Sequence, residues 1–579
     1  MTFKNRFVIK AVGESGQGVN SVGEALAKAL KDGGHYIFGY REYPSLIKGG
    51  YGSYQIDISN QEIKSSSKEC DVLMCLDRVA FGKYLPSVRE NGSVIHNVVK
   101  MALSPEQQKF VNDKNIKIEF IPAKDIAVEI GGKKIMSNTV MLGAMWQMLD
   151  LDLDELKENI KVIFARKPEV IESNIKCLEA GYEFDLSNLS KAKLKIREHK
   201  NFKDDLLLSG NHAISLGAIA AGVRVFYAYP MTPSSSILSY LSSVCHKTGM
   251  IVKQIEDEIS VANMAVGSMF MGARTMIATS GGGFDLMTEA VSLVGITETP
   301  FVCVLAQRPG PATGLPTWTA ASDLNVAVYG GHGEYARCVI AAHDIASCYS
   351  ITQEAFNIAE KYQIPVIILT EKQIAESIFQ VDKMPKDLPI ERGILSGDEL
   401  EGITSSDRFK ITETGVSPRW LPGSCDVVYD ANSDEHLPDG SITEDAEESK
   451  QMYDKRIRKE QYLLENLPEP VVYGSDHPDI SFVGWGSVKN TVLDLINSEM
   501  TDKKIAYLHY EYVYPIKTKV FKEFAKKAKK LVLIENNATG QLGNLITINT
   551  GVMFEHKLLK MDGRPFFIED IIDYIEGEK

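Results

Sequence analysis

At 579 residues and 64.1 kDa the chain is too long for one compact core, and about three globular parts are expected. With 63 Lys+Arg against 77 Asp+Glu it carries a formal charge of −14, which disfavours nucleic acid as a partner because such binding rests on Lys and Arg neutralising phosphates. The 44% hydrophobic and 24% charged composition, the lack of a run of roughly eighteen apolar residues, and a start (MTFKNRFVIKAVGESG) that meets Gly and Glu early predict a soluble, cytoplasmic protein without a membrane span.

In chain order, RFVIKAV reads as a strand, GESGQGV as a turn, and NSVGEALAKALKDGG as a helix closing on two glycines. Strand-like runs follow at DVLMCL and SVIHNV, so a parallel α/β sheet with helices on its faces is expected. The helical stretch SNTVMLGAMWQMLDLDLDELKENIKVIF completes a first domain, 1–188. The charged run LSKAKLKIREHKNFKDD marks a linker at 189–205. A second α/β pattern, 206–378, carries the apolar strands TMIATS, FVCVLA and IPVIILT. Residues 379–471 read as an irregular crossover or strap. A third α/β domain, 472–579, has strands at DISFVGW, KIAYLHY and KLVLIEN. The eight cysteines are scattered with no CxxC pair, so the sequence encodes neither an iron–sulfur cluster nor a structural zinc site.

The turn GESGQGV has Gly13, Gly16 and Gly18 in GxxGxG spacing, which differs from the dinucleotide GxGxxG. A backbone nest at a helix N-terminus there suits a phosphate; a plain strand–helix turn accounts for the same residues. Arg41 and Lys48 flank the loop REYPSLIKGG and suit an anionic ligand or a solvated loop equally. In FYAYPMTPSSS, Tyr229, Pro230 and Thr232 stand at a strand end, where open α/β sheets bind ligands. The hydroxyls of Thr232, Ser234 and Ser235 are expected to cap the next helix.

Three carboxylates, Glu256, Asp257 and Glu258, then enter a nearly all-apolar helix. The macrodipole explains acidic residues there, but a carboxyl group at the mouth of a buried helix is also poised to exchange a proton. Arg308, framed by Pro309, Gly310, Pro311 and Gly314, suits bidentate recognition of a carboxylate, or a surface ion pair. His332 and Glu334 in GGHGE read as loop residues, and ENNATGQLGNL as packing plus a cap.

Taken in order, YPMTPSSS, EDEI, TSGGGFDLMTEA, QRPGPATGLPT and HGE resemble the alpha subunit of 2-oxoacid:ferredoxin oxidoreductases, and GESGQGV with YPSLIKGG resembles their gamma subunit, fused ahead of alpha. The resemblance implies three α/β domains: a gamma-type domain at 1–188, a pyrimidine-type thiamine diphosphate domain at 206–378, and a transketolase C-terminal-like domain at 472–579. It also implies thiamine diphosphate shared with a beta subunit, oxidative decarboxylation of a 2-oxoacid onto coenzyme A, and ferredoxin as electron acceptor.

On the matching positions, Glu258 corresponds to the family's glutamate at N1′ of the aminopyrimidine, Thr232 to a hydrogen-bond donor to substrate, and Arg308 to the partner of the substrate carboxylate. Tyr229, Pro230, Gly281 and Gly282 fall in the cofactor-binding motifs; Gly13, Gly16, Gly18, Arg41 and Lys48 are expected at coenzyme A. The family more often has Pro at 282, Ser at 285 and Gln at 321, where this chain has Gly, Asp and Ala. No GDG with a distant Asn is present, so Mg²⁺ and the [4Fe–4S] cluster are expected on the beta chain. The substrate leans toward 2-oxoglutarate or a broad range of 2-oxoacids. The alternative reading is a non-catalytic nucleotide-binding scaffold; a self-sufficient thiamine decarboxylase is disfavoured by the missing diphosphate motif.

Overall fold

The computed structural model describes residues 6–45, 49–130, 133–189, 191 and 202–577. Lys48 and most of the expected linker lie outside the described residues. Contacts group the chain into two compact units. Among the described residues no helix is long and apolar enough to cross a membrane.

The first unit comprises residues 1–208, 377–383 and 567–579. Its eight-stranded sheet runs in the order Lys117–Phe120, Val88–His96, Cys70–Cys75, Arg6–Glu14, Tyr51–Ser59, Tyr36–Glu42, Ile378–Val381, Leu206–Leu208. Alternation along the first strand explains its two-sided burial: Val8 and Val12 enter one core cluster, Ile9 and Ala11 the other. The first four strands in that order are parallel, but the rest pair antiparallel, so the sheet is mixed where a parallel one was expected. The cause is local: Tyr36–Glu42 returns directly as Tyr51–Ser59 through Gly49 and Gly50, both at positive φ, with no crossover helix between them. The long helical stretch is two helices, Ser137–Met148 and Leu153–Ile163, divided where Asp152 caps the second by accepting from Asp154 N at 3.0 Å.

The second unit, residues 209–376 and 384–566, holds two sheets. The seven-stranded one runs Tyr512–Tyr514, Cys338–Ala341, Pro365–Glu371, Phe301–Gln307, Thr275–Thr279, Val225–Ala228, Ile251–Gln254, parallel except for the first. Its central strands FVCVLAQ and PVIILTE are buried at every position, as parallel strands covered on both faces must be. The five-stranded sheet runs Val471–Gly474, Ile505–Tyr510, Ile480–Trp485, Leu531–Glu535, His556–Leu559, with only the first antiparallel. All the strands read from the sequence in this half are present.

The stretch expected to be irregular contains a 21-residue helix, Ala446–Asn466, started by Asp445, which accepts from Glu447 N and Glu448 N. Its buried stripe is Met452, Lys455, Arg456, Lys459 and Leu463, a helical spacing filled largely by cations, so the apolar pattern does not reveal it. The stripe meets Glu298, a fully buried carboxylate at the left-handed C-cap of the helix Gly281–Thr297. Lys455 Nζ pairs with Glu298 Oε1 at 2.5 Å, Lys459 Nζ pairs with Oε2, and Arg408 donates to the Glu298 carbonyl at 3.1 Å. Burial pushes the Glu298 carboxyl up, but the three cations outweigh it and hold the group well below the usual carboxylate range.

Glu298→Gln leaves those cations facing no anion and is expected to cost about 3–5 kcal/mol, read as a lower urea-unfolding midpoint. Because the folded-state pKa is depressed, the stabilisation is complete above the unfolded value of about 4.3 and is lost as pH falls toward the folded value, so the gap between the two proteins narrows in acid.

Candidate functional site

Four adjacent parallel strands, Ile251–Gln254, Val225–Ala228, Thr275–Thr279 and Phe301–Gln307, deliver their C-terminal ends to one edge of the sheet. The motifs singled out from the sequence are the four loops that leave this edge.

After Val225–Ala228, Tyr229 is half-buried and Pro230 exposed. Asn211 Nδ2 donates to the Pro233 carbonyl at 2.7 Å and to Ser236 Oγ at 2.7 Å, pinning the loop. The serines do not cap the helix Ser235–Thr248 as expected: Ser234 Oγ donates back to the Met231 carbonyl at 2.7 Å, and the helix has no side-chain cap.

After Ile251–Gln254 the three carboxylates have three fates. Glu256 is exposed; Asp257 is the N-cap, accepting from Ile259 N at 3.0 Å and Ser260 N at 3.3 Å; Glu258, the first residue of the helix Glu258–Phe270, is 3% exposed. With the cap filled by its neighbour, Glu258 Oε1 is buried without a hydrogen-bond partner among the described residues. Burial, then the charges of Asp257 and Glu256, push its carboxyl up.

After Thr275–Thr279 the helix Gly281–Thr297 opens on three glycines. A β-carbon at Gly283 would lie 2.1 Å from Thr279 Oγ1 and 2.6 Å from Glu258 Oε1, and one at Gly281 would lie 2.9 Å from Asp323 Oδ2. Gly282 is exposed, and nothing stands within 4 Å of where its β-carbon would lie.

After Phe301–Gln307, Arg308 is 9% exposed and donates from Nη1 to the Thr232 carbonyl at 2.8 Å, while its Nε is buried without a hydrogen-bond partner among the described residues. Burial pulls the guanidinium down and Asp323 opposes this. The structure thus joins Thr232 to Arg308 through the backbone, and Glu258 to Thr279 and Gly283; Thr279 Oγ1 in turn lies 4.0 Å from Met231 Sδ. Asp323, which the sequence reading passed over as part of AASDL, also belongs here. Its only signal is its position directly before the short helix Leu324–Tyr329, where capping by residue type explains an Asp equally well, although its side chain makes no capping hydrogen bond.

These residues fit a heteroaromatic cofactor. Glu258 Oε1, buried without a hydrogen-bond partner among the described residues, is the kind of group that meets a polar ring atom, and the exposed Gly282 leaves the backbone beside it open to approach. A cavity of about 670 Å³ lined by Glu289, His332, Glu334, Tyr453 and Arg456 lies more than two turns along the Gly281–Thr297 helix, away from this edge, and its Arg456 is already paired with Glu435 at 2.5 Å.

In the first unit, Gly16 and Gly18 have φ of 91° and 82°, and Gly18 starts the helix Val19–Asp32 with no side-chain cap. Ser15 donates from N at 3.0 Å and from Oγ at 3.1 Å to the Gly50 carbonyl, so the turn carrying Gly13, Gly16 and Gly18 and the loop after Arg41 meet. Arg41 lies in Tyr36–Glu42, two strands from Ala11 through Tyr54.

Residues 216–455 match the family described as pyruvate flavodoxin/ferredoxin oxidoreductase, thiamine diP-binding, and residues 8–184 the one described as pyruvate ferredoxin/flavodoxin oxidoreductase. A 2-oxoacid:ferredoxin oxidoreductase subunit alpha of Sulfolobus sp is 30% identical over 98% of this chain and 97% of its own. The 2-oxoglutarate oxidoreductase subunit KorA of Mycobacterium tuberculosis is 28% identical over 98% of this chain and 91% of its own. Among solved structures, the 2-oxoglutarate:ferredoxin oxidoreductase from Magnetococcus marinus, with 2-oxoglutarate, coenzyme A and succinyl-CoA bound, superposes with a TM-score of 0.91 at 28% identity, covering 99% of this chain and 100% of that one.

The glycine floor makes a paired test. Gly283→Ala drives a methyl group into Glu258 and Thr279 and is expected to cost about 1–3 kcal/mol, whereas Gly282→Ala, with open space, stays within about 0.5 kcal/mol of the parent. Thermal unfolding of the two variants side by side checks the difference.

Proposed function

The chain belongs to the 2-oxoacid:ferredoxin oxidoreductase family as an alpha subunit, and from that premise we propose the roles of its residues and partners. The reaction is that of a 2-oxoacid with coenzyme A and oxidised ferredoxin to give acyl-CoA, CO₂ and reduced ferredoxin. Thiamine diphosphate, when bound, supplies the electron sink that makes loss of CO₂ from a 2-oxoacid possible.

Glu258 holds a proton at N1′ of the aminopyrimidine. Its raised pKa suits a group that shares rather than surrenders that proton, and Oε1, without a hydrogen-bond partner among the described residues, is left for the ring. This orphaned, buried carboxyl oxygen is the observation that carries the reading. Arg308 pairs with the substrate carboxylate, with Nη1 anchored on Thr232 and the guanidinium held in a fixed plane. Thr232 donates its hydroxyl to the substrate. Tyr229, Pro230, Gly281 and Gly282 form the wall and floor against which the cofactor ring lies. A nucleotide-binding scaffold gives no reason to bury a carboxyl group without a partner.

The half-site needs a second chain. Ile259 and Met264 on the helix that begins with Glu258, and Leu286 on the helix that begins with Gly281, are large apolar side chains left exposed beside the site. A beta subunit covers them and brings the Mg²⁺ with the cofactor's diphosphate, and the [4Fe–4S] cluster that hands electrons to ferredoxin. Support for that division is the absence from this sequence of a GDG…Asn motif and of any CxxC pair. Coenzyme A is held in the first unit at the turn of Gly13, Gly16 and Gly18, and Arg41 and Lys48 are the cations of the following loop sequence whose charge suits its phosphates. The substrate is 2-oxoglutarate or a broad range of 2-oxoacids, in keeping with the names of the relatives. The domains follow the family plan: 1–188, 206–378 and 472–579, with 379–471 as crossover.

Co-expressed with its beta partner, the chain is expected to support reduction of a viologen dye that requires both a 2-oxoacid and coenzyme A. Glu258→Gln is expected to lower kcat by about 10²–10⁴-fold, the range for removal of a positioned acid–base group, with the KM for the 2-oxoacid little changed. Dye reduction at the parent rate in that variant removes Glu258 from the mechanism.

A further inference from the structure

Asp323 precedes the short helix Leu324–Tyr329, and its backbone N–H donates to Gln307 Oε1 at 2.9 Å, which fixes it beside the end of the strand that carries Arg308. Its carboxyl group lies against the start of the Gly281–Thr297 helix, 2.9 Å and 3.2 Å from where a β-carbon on Gly281 would stand. Oδ2 is buried and has no hydrogen-bond partner among the described residues, and the same is true of Arg308 Nε. The charged groups that face Asp323 are Arg308 from the strand end and Asp285 from the helix, while Glu258 stands beyond at Gly283. The site therefore gathers one cation and several carboxyl groups before any substrate arrives.

We propose that Asp323 is a positioning residue whose protonation state sets how strongly Arg308 holds the carboxylate of the 2-oxoacid. This inference rests on the reading of Arg308 given above. An ionised Asp323 offsets the guanidinium charge that the substrate's carboxylate needs, and in a partly desolvated site that offset is large. A protonated Asp323 leaves the charge to the substrate and adds an O–H donor beside it. Burial, then Asp285, pushes the Asp323 carboxyl up to about 7 against the pull of Arg308, so the exchange falls in the working range. By linkage, substrate binding raises the proton affinity of Asp323, and a fraction of a proton enters from solvent as the 2-oxoacid binds near pH 7. The substrate carboxyl group stays ionised throughout that range and is not the source of the effect.

The test uses the complex of this chain with its partner. Between pH 6 and pH 8 the KM for the preferred 2-oxoacid is expected to rise about tenfold, with a smaller change in kcat. Calorimetric titration of oxamate into the complex, in two buffers of different ionisation enthalpy, is expected to show proton uptake near pH 7. Asp323→Asn, an uncharged isostere, should keep the low KM of pH 6, flatten its pH dependence and abolish proton uptake. Asp285→Ser removes a repelling charge and should shift the KM inflection to lower pH, which keeps the idea testable if the first variant folds poorly. A parent KM that is flat from pH 6 to 8, an Asp323→Asn enzyme that retains the dependence and the uptake, or an inflection unmoved by Asp285→Ser, each overturns the proposal. Arg308→Gln separates the premise: an unchanged KM at pH 6 removes the substrate role of Arg308, whereas a raised KM together with pH dependence surviving in Asp323→Asn removes only the role of Asp323.

Discussion

The site depends on a carboxyl group that folding leaves unsatisfied. Glu258 is buried at the mouth of its helix with one oxygen unpartnered, a condition that costs on the order of 1–3 kcal/mol for a polar atom. Such an arrangement persists only if its surroundings are over-determined. Here the surroundings are the ends of a parallel sheet whose central strands Thr275–Thr279 and Phe301–Gln307 are buried at every position, although the strand that leads to Glu258, Ile251–Gln254, is an exposed edge strand. The adjacent Asp257 takes the capping role that would otherwise draw Glu258 into backbone hydrogen bonds.

The same unit buries a second glutamate and treats it in the opposite way. Glu298 closes the helix that begins at the glycine floor, and three cations from the crossover segment hold it ionised. One end of the Gly281–Thr297 helix thus faces a carboxyl oxygen with no hydrogen-bond partner among the described residues, and the other end is a carboxylate paired on both oxygens. The contrast separates cause from coincidence. Burial alone raises a carboxyl pKa in both places, and only at Glu298 do positive charges reverse it. The saturated end fastens the crossover to the core.

Much of this was legible in the sequence, for a physical reason. Parallel strands buried on both faces read as short runs of uninterrupted apolar residues, and TMIATS, FVCVLA and IPVIILT fall where strands lie. Thr232 and Arg308 each follow an apolar strand, whereas Glu258 follows the exposed edge strand Ile251–Gln254 and stands out only by the acidic cluster it closes. What escaped notice has equally particular causes. The helix Ala446–Asn466 buries Lys455, Arg456 and Lys459 in place of leucines, so its pattern is visible only once Glu298 is known to face it. The mixed pairing of the first sheet depends on two glycines that turn Tyr36–Glu42 directly back, which no periodicity announces. Ser234 was a reasonable cap by residue type, yet its hydroxyl is spent on Met231 because the loop turns tightly before the helix begins.

The three glycines at 281–283 show how one short motif serves several constraints at once. Position 283 has no side chain because Glu258 and Thr279 fill the space; position 281 has none because Asp323 does. Position 282 is different, for nothing stands near it. Two acid groups therefore flank an open strip of backbone at the start of a helix, Glu258 on one side and Asp323 on the other, with Arg308 coupled to the second. Glycine at the outer positions is a packing requirement of the protein alone, met whether or not a ligand is bound. The free space at the middle position is not required by any packing within this unit. The asymmetry follows from the helix phase: positions 281 and 283 turn toward packed carboxyl groups, while position 282 is exposed.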